Sequence, residues 1–365
     1  MSHQSTTVQQ SISDFVPQEQ AIAGELPERF LRFCRLSIES KRGELLYTEP
    51  NITDQLIPNN CEAECSSLEF GTVDDNEIIE FTPTPSSRPI AAIDTSTIRL
   101  GELEDGSLCA LRGAVVALEG KHYRYTRYGP LLFSLGNSLM ADQIPSLGIT
   151  SFNGVSNVEI LLRRVRNSLE RWLQLSVTRS LTSGLILIDG SLTAGTPDNP
   201  SGEMENLLDV ARRSENLVIA ISKNTQLRIH DKSITALLEL NSEPCLLDVD
   251  KRIRRQFPGY PIQFLGRIFV GKLARSGFPF RIDVDRRIST EDCVAGIKQL
   301  TGTDIVEQGY PETLRVAHIL STFTASDVLA IQSLATARFG IQLMPKLALR
   351  RSLFGPFGTG WETRH

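Results

Sequence analysis

Apolar residues in this chain follow two rhythms. Between Glu25 and Leu46 they recur at Leu26, Phe30, Leu31, Phe33, Leu36 and Ile38, the three- and four-residue steps of an amphipathic helix. The same steps return from Asn157 to Ser180, at Val158, Leu161, Leu162, Val165, Leu169, Trp172, Leu173 and Leu175, and Gly184 ends the run. Elsewhere the apolar residues form short continuous blocks between turn formers, the pattern of buried strands. These blocks are IAAID (90–94), LCALRGAVVALEG (108–120), LILID (185–189), LVIAISK (217–223), GRIFVGKLA (266–274) and FRIDVD (280–285). KHYRYTRYGPLLFSL (121–135) reads as a further strand or hairpin, and the irregular lead-in of 48–88 leaves room for one short strand at 77–82. Helical patterns fall at 205–216, 291–300, 312–322 and 326–338, whereas KRIRRQ (251–256) reads as an exposed loop. Three strands, a helix, a strand, a helix and a strand in succession predict a mixed α/β sheet.

Composition narrows the class. Hydrophobic residues are 41% and charged residues 22% of 365, the balance of a globular protein with a sizeable core. No apolar run approaches the roughly 20 residues of a membrane span. The polar first 25 residues, expected to be mobile, lack the basic-then-apolar pattern of a secretory signal, so a cytoplasmic protein without membrane partners is expected. Six cysteines are too few for a disulfide framework. Cys61 and Cys65 lie close together in CEAEC, but no second Cys or His pair follows at zinc-site spacing. The net charge of −5 argues against a protein that coats nucleic acid by bulk charge. It permits an enzyme that concentrates carboxylates around metals and confines its cations to one groove.

The candidate chemistry lies at strand ends. Asp94 and Asp189 each finish an apolar block, and the long helix between them carries Glu170. Acids at the ends of the first and fourth core strands and on the intervening helix match a ribonuclease H-like arrangement. Cleavage of a phosphodiester by two metals about 3.5–4 Å apart needs such hard oxygen ligands. Taken singly, each acid has a plainer reading: Asp189-Gly190-Ser191 is a good turn, and a helical Glu is usually solvated. Glu159, three turns earlier on the same helix, competes with Glu170.

The segments AAIDTS (91–96), LILIDGSL (185–192), IAISK (219–223), PFRIDV (279–284) and GYPETLRVAH (309–318) follow one another in the order of the motifs of the NurA nucleases, and in this the chain resembles that family. The family's first strand carries Asp-Gly-Ser, and here the middle residue is Thr95. The resemblance implies a manganese-dependent nuclease (magnesium being the alternative) with two ions per site. It would degrade DNA from 5′ ends, cut single strands and process DNA ends in repair. It also implies a homodimer working with a hexameric HerA-type translocase. The implied catalytic residues are Asp94, Glu170, Asp189, Tyr310 and His318, of which Asp94, Glu170, Asp189 and His318 would hold metal. The implied fold is α/β, a ribonuclease H-like mixed sheet core with helical N-terminal and C-terminal additions. Residues 1–88 would form the N-terminal extension, 89–345 the nuclease domain and 346–365 a tail.

His318 can ligate a metal or carry a proton, though a lone histidine is more often a packed or surface residue. Lys223 closes a strand and is a candidate for the DNA backbone. Lys121, Arg124 and Arg127 alternate with tyrosines, a mixture suited to phosphates and stacked bases and equally to a solvated strand. Two other classes remain: an inactive adaptor on a DNA translocase, and a serine hydrolase using Ser191, which lacks the G-x-S-x-G elbow. No G-x-x-x-x-G-K-[ST] sequence is present for nucleotide hydrolysis.

Overall fold

The computed structural model describes residues 25–48, 78–136, 158–196, 199–223, 225, 228–229, 232–256 and 262–345. Cys61 and Cys65, residues 1–24 and the tail from 346 lie outside these residues. Among them eleven strands hydrogen-bond into one mixed sheet. In chain order these are β1 (Leu45–Thr48), β2 (Ile78–Glu80), β3 (Ile90–Leu103), β4 (Gly106–Glu119), β5 (His122–Leu135), β6 (Leu185–Asp189), β7 (Leu217–Ser222), β8 (Cys245–Asp248), β9 (Gly266–Lys272), β10 (Pro279–Asp285) and β11 (Gln342–Pro345). The main helices are α1 (Glu28–Glu39), α2 (Val158–Ser180), α3 (Ser201–Arg213), α4 (Asp250–Gln256), α5 (Thr290–Thr303), α6 (Glu312–Ser321) and α7 (Ala325–Phe339).

The sheet is organised around β3. Antiparallel β4 pairs with it along its length and carries β5 in turn. On the other side, β6 runs parallel to Ile90–Ile93, and β1 meets β3 only near its end, at Tyr47↔Glu102. Strand β7 continues parallel from β6, and β10, β9, β8 and β2 follow antiparallel. Leu185–Ile188 and Leu217–Ile221 are unbroken apolar runs because parallel strands are covered on both faces.

The two-residue period of β3 assigns its side chains to two cores. Ala91 and Ile93 pack with α1, α2 and α3, whereas Ile90 and Ala92 pack with α5 and α6. Continuing that alternation, Asp94 falls on the α6 side and Thr95 on the α2 side. Gly113 lies opposite Thr95, where a Cβ would stand 2.6 Å from Leu173 Cδ1. The missing side chain lets α2 close on the sheet at the level of the acids.

Several expectations are corrected. The first helix ends at Glu39, because Gly43 turns the chain at φ 78° and sends Leu45 and Leu46 into β1. KRIRRQ forms α4 rather than a loop: Ile253 is buried against β8 and β9, and Arg254 pairs with Asp250 at 2.9 Å. Strand β3 continues nine residues past Asp94, to Leu103, held by β4. The segment Glu312–Phe339 has the length and mean hydropathy (1.3) of a membrane span. It nevertheless breaks at 322–324 into two helices, each burying one face in the fold.

That break is held by a buried ion pair. Arg112 on β4 is 2% exposed, donates to both carboxylate oxygens of Asp327 at 2.7 and 3.1 Å, and donates to the carbonyl of Thr322. The Arg112 guanidinium holds the Asp327 carboxyl well below the usual carboxylate range. Asp327→Asn should lower stability by about 3 kcal/mol in urea unfolding, because it strands a buried charge, and adding Arg112→Met should recover much of the loss. With the folded pKa depressed, this contribution is complete above the unfolded value of about 4 and disappears as the pH falls toward the folded one. The gap between wild type and Asp327→Asn should therefore shrink in acid.

Candidate metal centre

Strand β6 stops at Asp189 while its neighbour β3 runs on, which leaves a notch at the carboxyl end of the parallel pair. In open α/β sheets such ends are where ligands bind. Asp94 enters the notch one residue after the last β3–β6 pair, Ile93↔Ile188, and Asp189 enters from β6. Helix α6 crosses β3 and β4 and presents His318 and Ser321, three residues apart and so on one face.

Ligand atoms of Asp94, Asp189 and His318 all lie within 4.8 Å of one another. His318 Nδ1 is 2.9 Å from Asp94 Oδ2 and 3.9 Å from Asp189 Oδ2. Ser321 Oγ donates to the same Asp94 oxygen at 2.7 Å. With Asp94 ionised, Nδ1–H is the donor, which leaves Nε2 to face a metal or the substrate. Lys223 Nζ reaches Asp189 Oδ2 at 2.6 Å and lies 5.5 Å from the centre of the Tyr310 ring.

The two aspartates titrate in opposite senses. Burial works to raise the Asp94 pKa, but hydrogen bonds from His318 and Ser321 and the charges of His318 and Lys223 outweigh it and hold the carboxyl low. Burial dominates at Asp189 and lifts it, with Lys223 opposing and the Asp94 charge adding. Tyr310 is buried between Phe280 and the site; among the described residues its hydroxyl closes no well-formed hydrogen bond, and its nearest polar neighbour is the Asp189 carboxylate. Burial, with the charges of Asp189 and Asp94, pushes that phenol upward.

Glu170 is placed differently. It stands outside the convergent trio, on the Thr95 side of β3, where Thr95 Oγ1 donates to it at 2.9 Å and Gln174 Nε2 at 3.0 Å. Burial raises its pKa, Arg166 opposes this, and the Asp94 charge adds to it, so the two acids sense each other through the sheet. Glu159 lies 3.8 Å from Arg99, five residues further along β3. Of the two helical acids, Glu170 is the one level with Asp94.

The basic residues are spread out. Arg127 pairs with Ala114, which pairs with Asp94, so Arg127 lies on the Asp94 face two strands away, about 10 Å by strand spacing. Arg124 belongs to the opposite face and pairs with Glu119 at 2.8 Å. Lys121 is exposed in the β4–β5 turn, beyond the Ile90 end of β3 and away from the notch.

Residues not singled out from sequence complete the frame. Asp283 on β10 accepts from Leu192 N at 3.0 Å and from Arg281, which also donates to Thr193, so this pair pins the loop leaving Asp189. Ser222 Oγ donates to the carbonyl of Gly190 in the same loop. Gly309, at φ 86°, passes so near Phe278 that a Cβ would fall 2.4 Å from its carbonyl. Helical spacing could have found Ser321 and Gln174, at i+3 from His318 and i+4 from Glu170, whereas Asp283 lay inside PFRIDV with nothing local to set it apart.

Among solved structures, the NurA nuclease from Sulfolobus solfataricus is 16% identical over 73% of this chain and 88% of its own, with a TM-score of 0.47. A structure described as NurA is 12% identical over 72% of this chain and 91% of its own, also at 0.47. A NurA bound to dAMP and manganese is 12% identical over 69% and 88%, at 0.42. A search of curated proteins finds no match. The model of the NurA domain matches residues 88–321, which contain Asp94, Glu170, Asp189, Lys223, Tyr310 and His318. The chain belongs to the NurA family.

Proposed function

We propose that this protein is a divalent-metal-dependent nuclease that hydrolyses DNA phosphodiesters at the notch between β3 and β6. The observation that carries the reading is the convergence of Asp94, Asp189 and His318 within 4.8 Å inside the family domain. Two carboxylates and an imidazole suit manganese and, less closely, magnesium. Beside the donor set stands the buried Tyr310 phenol, which closes no well-formed hydrogen bond among the described residues and fits a site completed by substrate. The order β5-β4-β3-β6-β7, with β4 antiparallel and β6 and β7 parallel to β3, supports a ribonuclease H-like core within residues 89–345. Segments 28–48 and 78–80 pack onto it as additions.

In this reading Asp94 and Asp189 hold the cation, and Ser321 and His318 fix the Asp94 carboxylate. When bound, divalent metal activates water and offsets charge on the phosphate and leaving oxygen. His318, half exposed, delivers a proton to the departing oxygen. The Tyr310 hydroxyl donates to a phosphate oxygen, and Arg127 holds a neighbouring phosphate on the same face. For Glu170 to serve a second ion, its carboxylate would have to leave Thr95 and Gln174 and turn past β3 to the Asp94 side. Family membership is the ground for the finer expectations: resection from 5′ ends, single-strand cutting, a role in end repair in the cytoplasm, a homodimer and a HerA-type translocase.

Cleavage of end-labelled DNA in manganese tests the reading. Asp94→Asn and Asp189→Asn should each abolish cutting while DNA binding persists; loss of binding to the same extent would make the acids structural. His318→Ala should slow turnover about 10²-fold, the scale of a general acid. Normal cutting by that variant would remove the imidazole from the chemistry.

Tyr310→Phe separates packing from catalysis. Among the described residues its hydroxyl closes no well-formed hydrogen bond and only lies near the Asp189 carboxylate, so unfolding free energy should stay within about 0.5 kcal/mol of wild type. Turnover should fall about tenfold, the worth of one hydrogen bond to a charged phosphate. A destabilised variant with normal turnover would reverse that assignment.

A further inference from the structure

Lys223 directly follows β7, and its surroundings are unusual for a residue at a strand end. Its backbone is anchored: the preceding Ser222 pairs with Arg281 of β10 and donates to the Gly190 carbonyl. Its ammonium is directed inward, 2.6 Å from Asp189 Oδ2, over the face of Tyr310. The contacted oxygen is the one that lies 3.9 Å from His318 Nδ1, so Lys223 engages the ligand atom that faces the other donors. A cation at the centre of the trio and an ammonium in contact with that oxygen would carry like charges side by side.

Resting on the nuclease reading, we propose that Lys223 is an internal counter-cation of the two aspartates, which yields Asp189 to the metal and moves onto the phosphate of the DNA strand. Three features support the exchange. Asp94 and Asp189 together bring two negative charges into one partly buried notch, and without metal a positive group must balance them. The Lys223 side chain keeps 38% of its surface exposed, so the ammonium has a path outward. Its four-carbon stem also lets a point charge swing without backbone movement, as the planar, forked guanidinium of an arginine would not. The phosphate offers the displaced ammonium a new anion at the moment the metal takes the old one. Metal and DNA therefore bind with positive coupling, each removing the obstacle to the other.

The expected behaviour differs from that of a simple DNA-contacting lysine. Lys223→Met should bind manganese more tightly without DNA, about fivefold, the worth of one released exposed ion pair of about 1 kcal/mol. In wild type, a cleavage-resistant phosphorothioate oligonucleotide should tighten manganese binding several-fold, and in Lys223→Met that enhancement should vanish. Calorimetric titration of manganese with and without the oligonucleotide reads both effects and needs no turnover. Lys223→Arg distinguishes an exchange from a general field effect. It keeps the charge, so a pure field effect would leave coupling intact, whereas the exchange predicts weakened coupling. Unchanged manganese affinity in Lys223→Met, or coupling that survives in it, would overturn the proposal and leave the nuclease reading standing. Wild type that binds no manganese would defeat both.

Discussion

Holding two carboxylates together in a partly buried notch is the constraint on which this structure turns. Asp94 and Asp189 are carried there by neighbouring parallel strands, whose pairing fixes their separation before any ligand arrives. Burial opposes both charges, so every polar group around them has an electrostatic task. His318 and Ser321 stabilise Asp94 from above, and Lys223 stabilises Asp189 from the side. The result is one acid held readily ionised and another held less so, both bound to groups that a cation or a phosphate can displace.

The sheet decides what can reach that pair. Since β3 alternates faces, Asp94 belongs to the α6 side and Thr95 to the α2 side, and the two helices approach the site through adjacent residues of one strand. Helix α6 supplies direct partners. Helix α2 supplies Glu170 through Thr95, at a distance set by the missing side chain of Gly113. Behind the acids, Asp283 and Arg281 lock the loop after β6, so the PFRIDV segment acts as a buttress rather than a ligand. The tight passage of Gly309 beside Phe278 likewise sets where Tyr310 begins and where α6 starts.

Much of this was legible in the chain because its signals were local. The helical steps of 157–180, the apolar blocks ending in Asp94 and Asp189, and Pro311 ahead of a helix depend on neighbouring residues, and each corresponds to an observed element. Elements that failed to show were short or depended on distant partners. β8 has four residues and acquires its identity by pairing with β9 and β2. KRIRRQ has few apolar positions, and only the packing of Ile253 under β9 makes it a helix. The full length of β3 likewise follows from β4, which pairs with it as far as Leu103.

By itself, the sequence determined which side chains were available for chemistry and in what order the elements carrying them would appear. Residue type and spacing are properties of the chain, and they singled out Asp94, Glu170, Asp189 and Lys223, while the family resemblance added Tyr310 and His318. Which of these share a face was decided only in three dimensions. Asp94 and Glu170 diverge because successive residues of a strand point to opposite sides. Lys223 and Asp189 meet because β6 and β7 lie side by side in parallel, bringing together residues far apart in the chain. His318 reaches Asp94 across 224 positions because α6 packs its apolar face on β3 and β4, and no local pattern encodes that docking.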